Sequence, residues 1–156
     1  MKMNQLRNIT TAALVAFAGT AFVTPQSVSA HCQIPCGIYD DHARVEAMLE
    51  EAKTLSKSIV VLNELSAKSD LQSLNQKVRW VNNKEIHAEK IIQTISNYFL
   101  TQRVKATQAD YKDRLVKHHA VIVNAMKVKQ GSSMEVVDKL VKSIEALAPY
   151  YPEHKH

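Results

Sequence analysis

Glycine and proline are scarce, three and four residues in a chain of 156. A β-sandwich or barrel needs many tight turns, and an α/β nucleotide-binding fold needs glycine-rich loops, so both classes are set aside. Cysteine is scarcer still, with two residues, which excludes a disulfide-rich scaffold. No charge sign dominates. Twenty Lys and Arg against fifteen Asp and Glu give a formal charge of +5, spread along the chain. That is not the concentrated basic face of a nucleic-acid-binding protein, although it leaves a weakly attractive field for anions. Internal repeats and low-complexity segments are absent. What remains is 46% hydrophobic and 22% charged residues, a globular composition long enough for one domain. It points to a helical protein with few connections.

The longest apolar run, residues 9–23, lies near the start of the chain and reads as an address rather than as structure. Lys2 and Arg7 precede it, Thr24-Pro25-Gln26-Ser27 ends it, and Val28 and Ala30 put small residues at the −3 and −1 positions of a cleavage site. These are the three regions of a secretory signal peptide. The run is shorter than the roughly 20 residues that span a bilayer, which argues against a retained anchor and against stable membrane association after cleavage. Cleavage after Ala30 leaves 126 of the 156 residues, and loses two basic residues and no acidic one, so the charge falls from +5 to +3. The expected destination is the periplasm or the outside of the cell. In such an oxidising compartment Cys32 and Cys36 are either a disulfide or metal ligands.

From residue 41 to residue 148 the spacing predicts four helices, each an apolar stripe at three- and four-residue steps. The first stripe is Val45, Met48, Ala52, Leu55, Ile59 and Leu62. The second is Leu71, Leu74, Val78, Val81, Ala88, Ile92, Ile95 and Phe99. Tyr111, Leu115, His118, Ile122 and Ala125 mark the third, and Met134, Val137, Val141, Ile144 and Ala148 the fourth. Asp40 or Asp41 is expected to cap the first helix and Ser69-Asp70 the second. Thr107 with Asp110, and Ser132 with Glu135, have the spacing of capping boxes for the third and fourth. Gly131 is expected to end the third helix in the left-handed conformation, and Pro149 and Pro152 to stop the fourth. Short connections make neighbours antiparallel, so the expected fold is all-α, an up-down four-helix bundle, with residues 149–156 as a tail. His118 falls on an apolar stripe and reads as a core or interface histidine. His42 reads as a first-turn surface residue, and Trp80 and Phe99 as core or subunit contacts. His119, His154 and His156 have no assigned role.

The chemistry concentrates in residues 31–40, His-Cys-Gln-Ile-Pro-Cys-Gly-Ile-Tyr-Asp. Cleavage makes His31 the first residue, so a free amine, its own imidazole, the Cys32 amide and two thiols lie within one tight turn. The amine and the Cys32 amide nitrogen close a five-membered chelate ring, which the Cys32 sulfur extends. Pro35 and Gly37 favour a sharp hook that returns the Cys36 sulfur to the same point. The outcome is a planar N2S2 set with the His31 ring free to reach an axial position. Square-planar nitrogen and sulfur donation suits Ni(II) or Cu(II) rather than tetrahedral Zn(II).

The string HCxxPCGxY resembles the nickel superoxide dismutases. The resemblance is firmest over His31, Cys32, Pro35, Cys36, Gly37, Tyr39 and Asp40. It continues through Ala43-Arg44-Val45-Glu46, Lys84-Glu85, Ala88-Glu89 and Tyr98-Phe99. It implies a four-helix bundle assembled as a homohexamer, carrying one nickel ion per subunit in an N-terminal hook. Nickel would be held by the His31 amine and ring, the Cys32 amide and thiolate, and the Cys36 thiolate. It implies superoxide as substrate, Tyr39 as a gate that positions water or substrate, and Glu46 as the group that orients the His31 ring. Gln33 stands where the family's hook often has Asp, and His87 where better-known members carry an Arg that reaches the hook histidine. Thiolates and a deprotonated amide push electron density onto the metal and stabilise Ni(III), which superoxide disproportionation requires. Two other readings use the same residues: an exported nickel- or copper-binding helical protein without turnover, and a helical adaptor closed by a Cys32–Cys36 disulfide.

Overall fold

The computed structural model describes residues 41–153; the segments expected as signal peptide (1–30) and hook (31–40), and residues 154–156, lie outside the described residues. Four α-helices make up most of the described chain: α1 (Asp41–Leu65), α2 (Leu71–Gln93), α3 (Tyr111–Gln130) and α4 (Met134–Glu145). A π-helical segment (Thr94–Arg103) continues α2 without a break, and a 3-10 turn (Ala148–Tyr150) follows α4. No strand occurs among the described residues. α1 packs on α2 and α4, α2 on α3, and α3 on α4, so the helices close a ring in chain order. Asp41, at the start of α1, reaches Arg103 beyond the end of α2. Asn63, near the end of α1, reaches the Ser132 carbonyl between α3 and α4 at 3.4 Å. The arrangement is the expected four-helix bundle.

The stripe of α1 is buried as its spacing predicts, with Val45, Met48, Ala52, Leu55 and Ile59 facing the core. Ser58 shares that face without leaving an orphan hydroxyl, because its Oγ donates to the Thr54 carbonyl one turn back at 2.9 Å. Asp70 caps α2 as expected: its carboxylate accepts from the Ser73 amide at 2.9 Å and the Ser73 hydroxyl at 2.6 Å.

The other expected ends differ. Asp110 precedes α3 but makes no side-chain cap bond; its carboxylate instead accepts from Arg114 Nε at 2.8 Å. The residue before α4 is Ser133 rather than Ser132, and it too makes no side-chain cap bond. Gly131 is extended, with φ −105 and ψ 171, not left-handed. The reason is Lys84. Its ammonium donates to the Lys129 carbonyl at 2.7 Å and the Gly131 carbonyl at 2.8 Å. A cation thus satisfies the C-terminal carbonyls that a left-handed turn would otherwise serve.

The largest departure is the first half of the second stripe. Leu71, Leu74, Val78 and Val81 are all exposed, Leu71 by 83%. Helix lengths account for this. α2 and its π continuation run for 23 and 10 residues, but α3 has 20 and α4 only 12. At about 1.5 Å per residue the later helices are far shorter. Lys84 already contacts the end of α3, so the turns of α2 before it have only α1 beside them.

At the opposite end the core is aromatic. Phe99 lies 4.6 Å from Tyr151 and 5.2 Å from Tyr98, centroid to centroid. Tyr151 is buried, so the segment expected as a tail from residue 149 contributes to the core. His118 is wholly buried beside these rings, as its place on the stripe suggests. Its Nδ1 lies 2.7 Å from the Arg114 carbonyl and its Nε2 2.8 Å from the Tyr151 hydroxyl. A carbonyl only accepts, so the proton sits on Nδ1 and Nε2 accepts from Tyr151. Burial holds the His118 pKa below the ordinary histidine value and pushes that of Tyr151 up to about 12.

Candidate metal centre

His31, Cys32, Cys36 and Tyr39 lie outside the described residues. The described residues supply the platform that the segment joins. Asp41 is the first residue of α1, five positions after Cys36, and is buried. Its negative charge suits the helix N-terminus. The carboxylate accepts the Tyr98 hydroxyl at 2.5 Å and pairs with the Arg103 guanidinium. The Arg44 guanidinium lies 3.8 Å from the centre of the Tyr98 ring. The π segment makes this meeting possible. Each five-residue hydrogen-bonded ring shifts the phase of the following side chains relative to an α-helix. Ile95, Tyr98, Phe99 and Gln102 are all turned inward there, and the Val104 amide closes the segment on the Phe99 carbonyl at 3.0 Å.

Burial raises the Tyr98 pKa most, and its hydrogen bond to Asp41 and that carboxylate's charge raise it further. The phenol is therefore neutral with its proton committed to Asp41. Its oxygen is left with accepting lone pairs only. Hydrogen bonds to an ionised partner are roughly twice as strong as neutral ones, so the cluster ties Asp41, the first residue of α1, firmly to the π segment.

Glu46 and His87 stand apart. Glu46 is exposed on α1, 3.8 Å from His42 Nε2. His87, on α2, pairs through Nδ1 with Glu51, whose other oxygen takes Lys90 at 3.2 Å. Glu46 and Glu51 are five positions apart on one helix, which places them about 140° apart around its axis. The two residues expected to support the hook histidine therefore sit apart, Glu46 on one face of α1 and His87 on α2 against another face of α1. Asp41 and Arg103 had no such expectation attached. Asp41 read only as a cap, and Arg103 follows a helical segment whose period is not 3.6.

Among the described residues no group of three or more His, Cys, Asp or Glu is placed to hold a metal ion. The donors expected from the sequence, in residues 31–36, lie outside the described residues. Two thiols, an amide nitrogen, an amine and an imidazole fit a square-planar metal with one axial ligand.

A family model described as nickel-containing superoxide dismutase matches residues 26–155. The chain belongs to that family. The match includes Cys32-Gln33-Ile34-Pro35-Cys36 and all four helices. Comparison with curated proteins and with solved structures gave no match. As a nickel-containing superoxide dismutase, the chain is an oxidoreductase that binds nickel, one ion per subunit, and acts on superoxide. No helix among the described residues of this superoxide dismutase is long and apolar enough to cross a membrane.

Proposed function

We propose that this superoxide dismutase works by Ni(II)/Ni(III) cycling at a mature N-terminus created by cleavage after Ala30. The observation that carries this reading is the position of His31-Cys32, directly after a signal-peptide cleavage pattern and within the span that matches the family. The bound metal supplies one-electron oxidation and reduction, so that two superoxide ions and two protons give one dioxygen and one hydrogen peroxide. His31 binds through its amine and ring, Cys32 through its amide nitrogen and thiolate, and Cys36 through its thiolate. An uncleaved chain offers an amide in place of the amine, and an amide nitrogen donates only after losing its proton, so a second such ligand beside the Cys32 amide is a far poorer donor than a free amine.

Tyr39, three residues beyond Cys36, donates a hydrogen bond towards substrate or water and screens the site from larger anions. Glu46 and His87 act as positioning residues for the His31 ring, in the roles that the family resemblance gives them. Glu46 lies on α1 and His87 on α2, against a different face of α1, so the bundle offers them to the ring from separate directions. The enzyme is exported, to the periplasm or beyond the cell. It assembles as a homohexamer. The uncovered stripe of Leu71, Leu74, Val78 and Val81 supports assembly, because an exposed apolar row of this kind marks a contact surface.

The test is intact mass and elemental analysis of the exported chain, with its dismutase activity. The expected result is a chain beginning at His31 with one nickel ion, active only in that form. Full activity in a chain that retains residues 1–30, or a metal-free mature chain two mass units light from a Cys32–Cys36 disulfide, overturns the reading.

A further inference from the structure

Tyr98, Tyr150 and Tyr151 share a feature that packing alone does not require: each holds its phenol proton against a group able to take it. Tyr98 donates to the Asp41 carboxylate at 2.5 Å, Tyr150 to the Asp113 carboxylate, and Tyr151 to His118 Nε2 at 2.8 Å. With Phe99 the three rings also form one unbroken run. Centroids are 5.2 Å apart from Tyr98 to Phe99, 4.6 Å from Phe99 to Tyr151 and 6.3 Å from Tyr151 to Tyr150. These are the spacings of aromatic rings in contact. The run leads outward. Tyr98, Phe99 and Tyr151 are buried, Tyr150 is half-buried, and its partner Asp113 is exposed. A phenol is hard to oxidise while it keeps its proton, because the radical cation left behind is a very strong acid. A base in hydrogen-bond contact removes that obstacle: electron and proton leave together, and a neutral tyrosyl radical remains. His118 is well fitted to the task. Burial keeps its ring neutral, and the Nε2 lone pair faces the phenol. A second proton on the ring leaves Nδ1–H on the Arg114 carbonyl at 2.7 Å, a hydrogen bond that the charge strengthens.

We propose that Tyr98, Tyr151 and Tyr150 form a relay that carries an oxidising equivalent from the core to the surface, with Asp41, His118 and Asp113 as its proton acceptors. The oxidant is a one-electron oxidant of the class formed when hydrogen peroxide, the product of dismutation, meets a redox metal. Tyr98 gives one electron to the oxidant, which is reduced, and its proton to Asp41. Tyr151 then gives one electron to Tyr98 across the Phe99 ring and its own proton to His118, while Asp41 returns its proton to Tyr98. Tyr150 repeats the exchange: its electron goes to Tyr151, its proton to Asp113, and His118 returns its proton to Tyr151. The radical now lies on Tyr150, where an external reductant of the thiol or ascorbate class supplies one electron and Asp113 gives back the proton. Oxidation that would otherwise end on core side chains such as Met48, which is buried beside these elements, is moved to a place that solutes reach. The relay rests on the dismutase activity and does not depend on where nickel is held.

The experiment exposes the nickel-loaded enzyme to hydrogen peroxide, or to a photo-oxidised ruthenium complex, freezes it rapidly and reads tyrosyl radicals by electron paramagnetic resonance. The parent gives a tyrosyl signal that ascorbate removes. Tyr150→Phe breaks the outer link and strands the radical on Tyr151, so the signal survives ascorbate. Adding His118→Gln to Tyr150→Phe abolishes the stranded signal, because a carboxamide accepts the phenol hydrogen bond but does not take its proton. Adding Tyr151→Phe to Tyr150→Phe, which keeps the ring and its packing, abolishes it as well, and carries the comparison if far-UV circular dichroism shows that His118→Gln loses helicity. Peptide mapping of Tyr151→Phe after peroxide shows more Met48 sulfoxide than the parent. A stranded signal unchanged by His118→Gln and by Tyr151→Phe, or no ascorbate-resistant signal in Tyr150→Phe, overturns the relay and leaves the hydrogen-bonded phenols a purely structural role. An active parent without any tyrosyl signal overturns the relay alone, whereas a nickel-loaded parent without dismutase activity overturns the reading beneath it.

Discussion

Burial of His118 makes the bundle sensitive to acid in a calculable way. The ring is fully buried, with Nδ1–H on the Arg114 carbonyl at 2.7 Å and Nε2 accepting from Tyr151 at 2.8 Å. The charged groups facing it are Arg114 on its own helix and, through Tyr150, the Lys117–Asp113 pair. Burial lowers its pKa, and the Arg114 charge adds to this. The unfolded chain therefore binds the proton more readily than the folded one. Stability is full above an unfolded histidine pKa of about 6.5 and falls as the pH drops below it. One proton gives a slope of about 1.4 kcal/mol per pH unit, so descent from pH 6.5 to pH 5 costs up to about 2 kcal/mol. For a domain of this size that is a fall of roughly 8 °C in melting temperature. The assay is thermal unfolding of the metal-free chain from pH 7.5 to pH 5, which keeps metal-linked protons out of the comparison. His118→Gln lowers stability at pH 7.5 but melts with a shallower pH dependence, because the proton that favours unfolding is gone. Parallel pH profiles for parent and variant would refute the reasoning and move the acid sensitivity to other groups.

Three further outcomes are expected. Cys32→Ser and Cys36→Ser each abolish dismutase activity and leave far-UV helicity intact, since the buried core is built from α1 to Tyr151; loss of helicity in both would indicate a structural disulfide instead. Lys84→Met lowers stability by about 2 kcal/mol in chemical unfolding, because two carbonyls at the end of α3 lose a charged donor; an unchanged midpoint refutes the cap. Glu46→Gln and His87→Ala keep nickel by elemental analysis but each reduce turnover by about 10–100-fold, as the loss of a positioning partner does; parent-like turnover by pulse radiolysis at every pH removes that residue from the site.

Periodicity located the four α-helices of the described residues, and a short polar signal located one cap, Asp70, because both are properties of neighbouring residues. What escaped depends on partners far along the chain. The stripe Leu71 to Val81 is apolar on one face, but periodicity does not say whether a third helix is long enough to cover it. Gly131 carried the usual signal for a left-handed turn, and a lysine 47 positions away made that turn unnecessary. The cluster at the start of α1 was hidden twice over. Asp41 and Tyr98 are 57 positions apart, and the π segment takes Tyr98, Gln102 and Arg103 out of the 3.6-residue phase on which helical reading relies. The proposed metal donors, by contrast, can be read from sequence alone because they are adjacent in the chain and their chemistry needs no tertiary contact; they lie outside the described residues.

The difference in length between α2 and the helices that follow it also sets how the molecule opens. Local unfolding costs least where few buried contacts are lost. The turns of α2 before Lys84 bury only Ser73. Their amides should exchange with deuterium well before those around Ala88 and Ile91, which sit between three helices. The aromatic end around Phe99 and Tyr151 is the slow-exchanging pole of the bundle and the overhang the fast one. A second subunit seated on Leu74 and Val78 would slow the fast pole alone, so the ratio of the two rates becomes a direct gauge of assembly in solution.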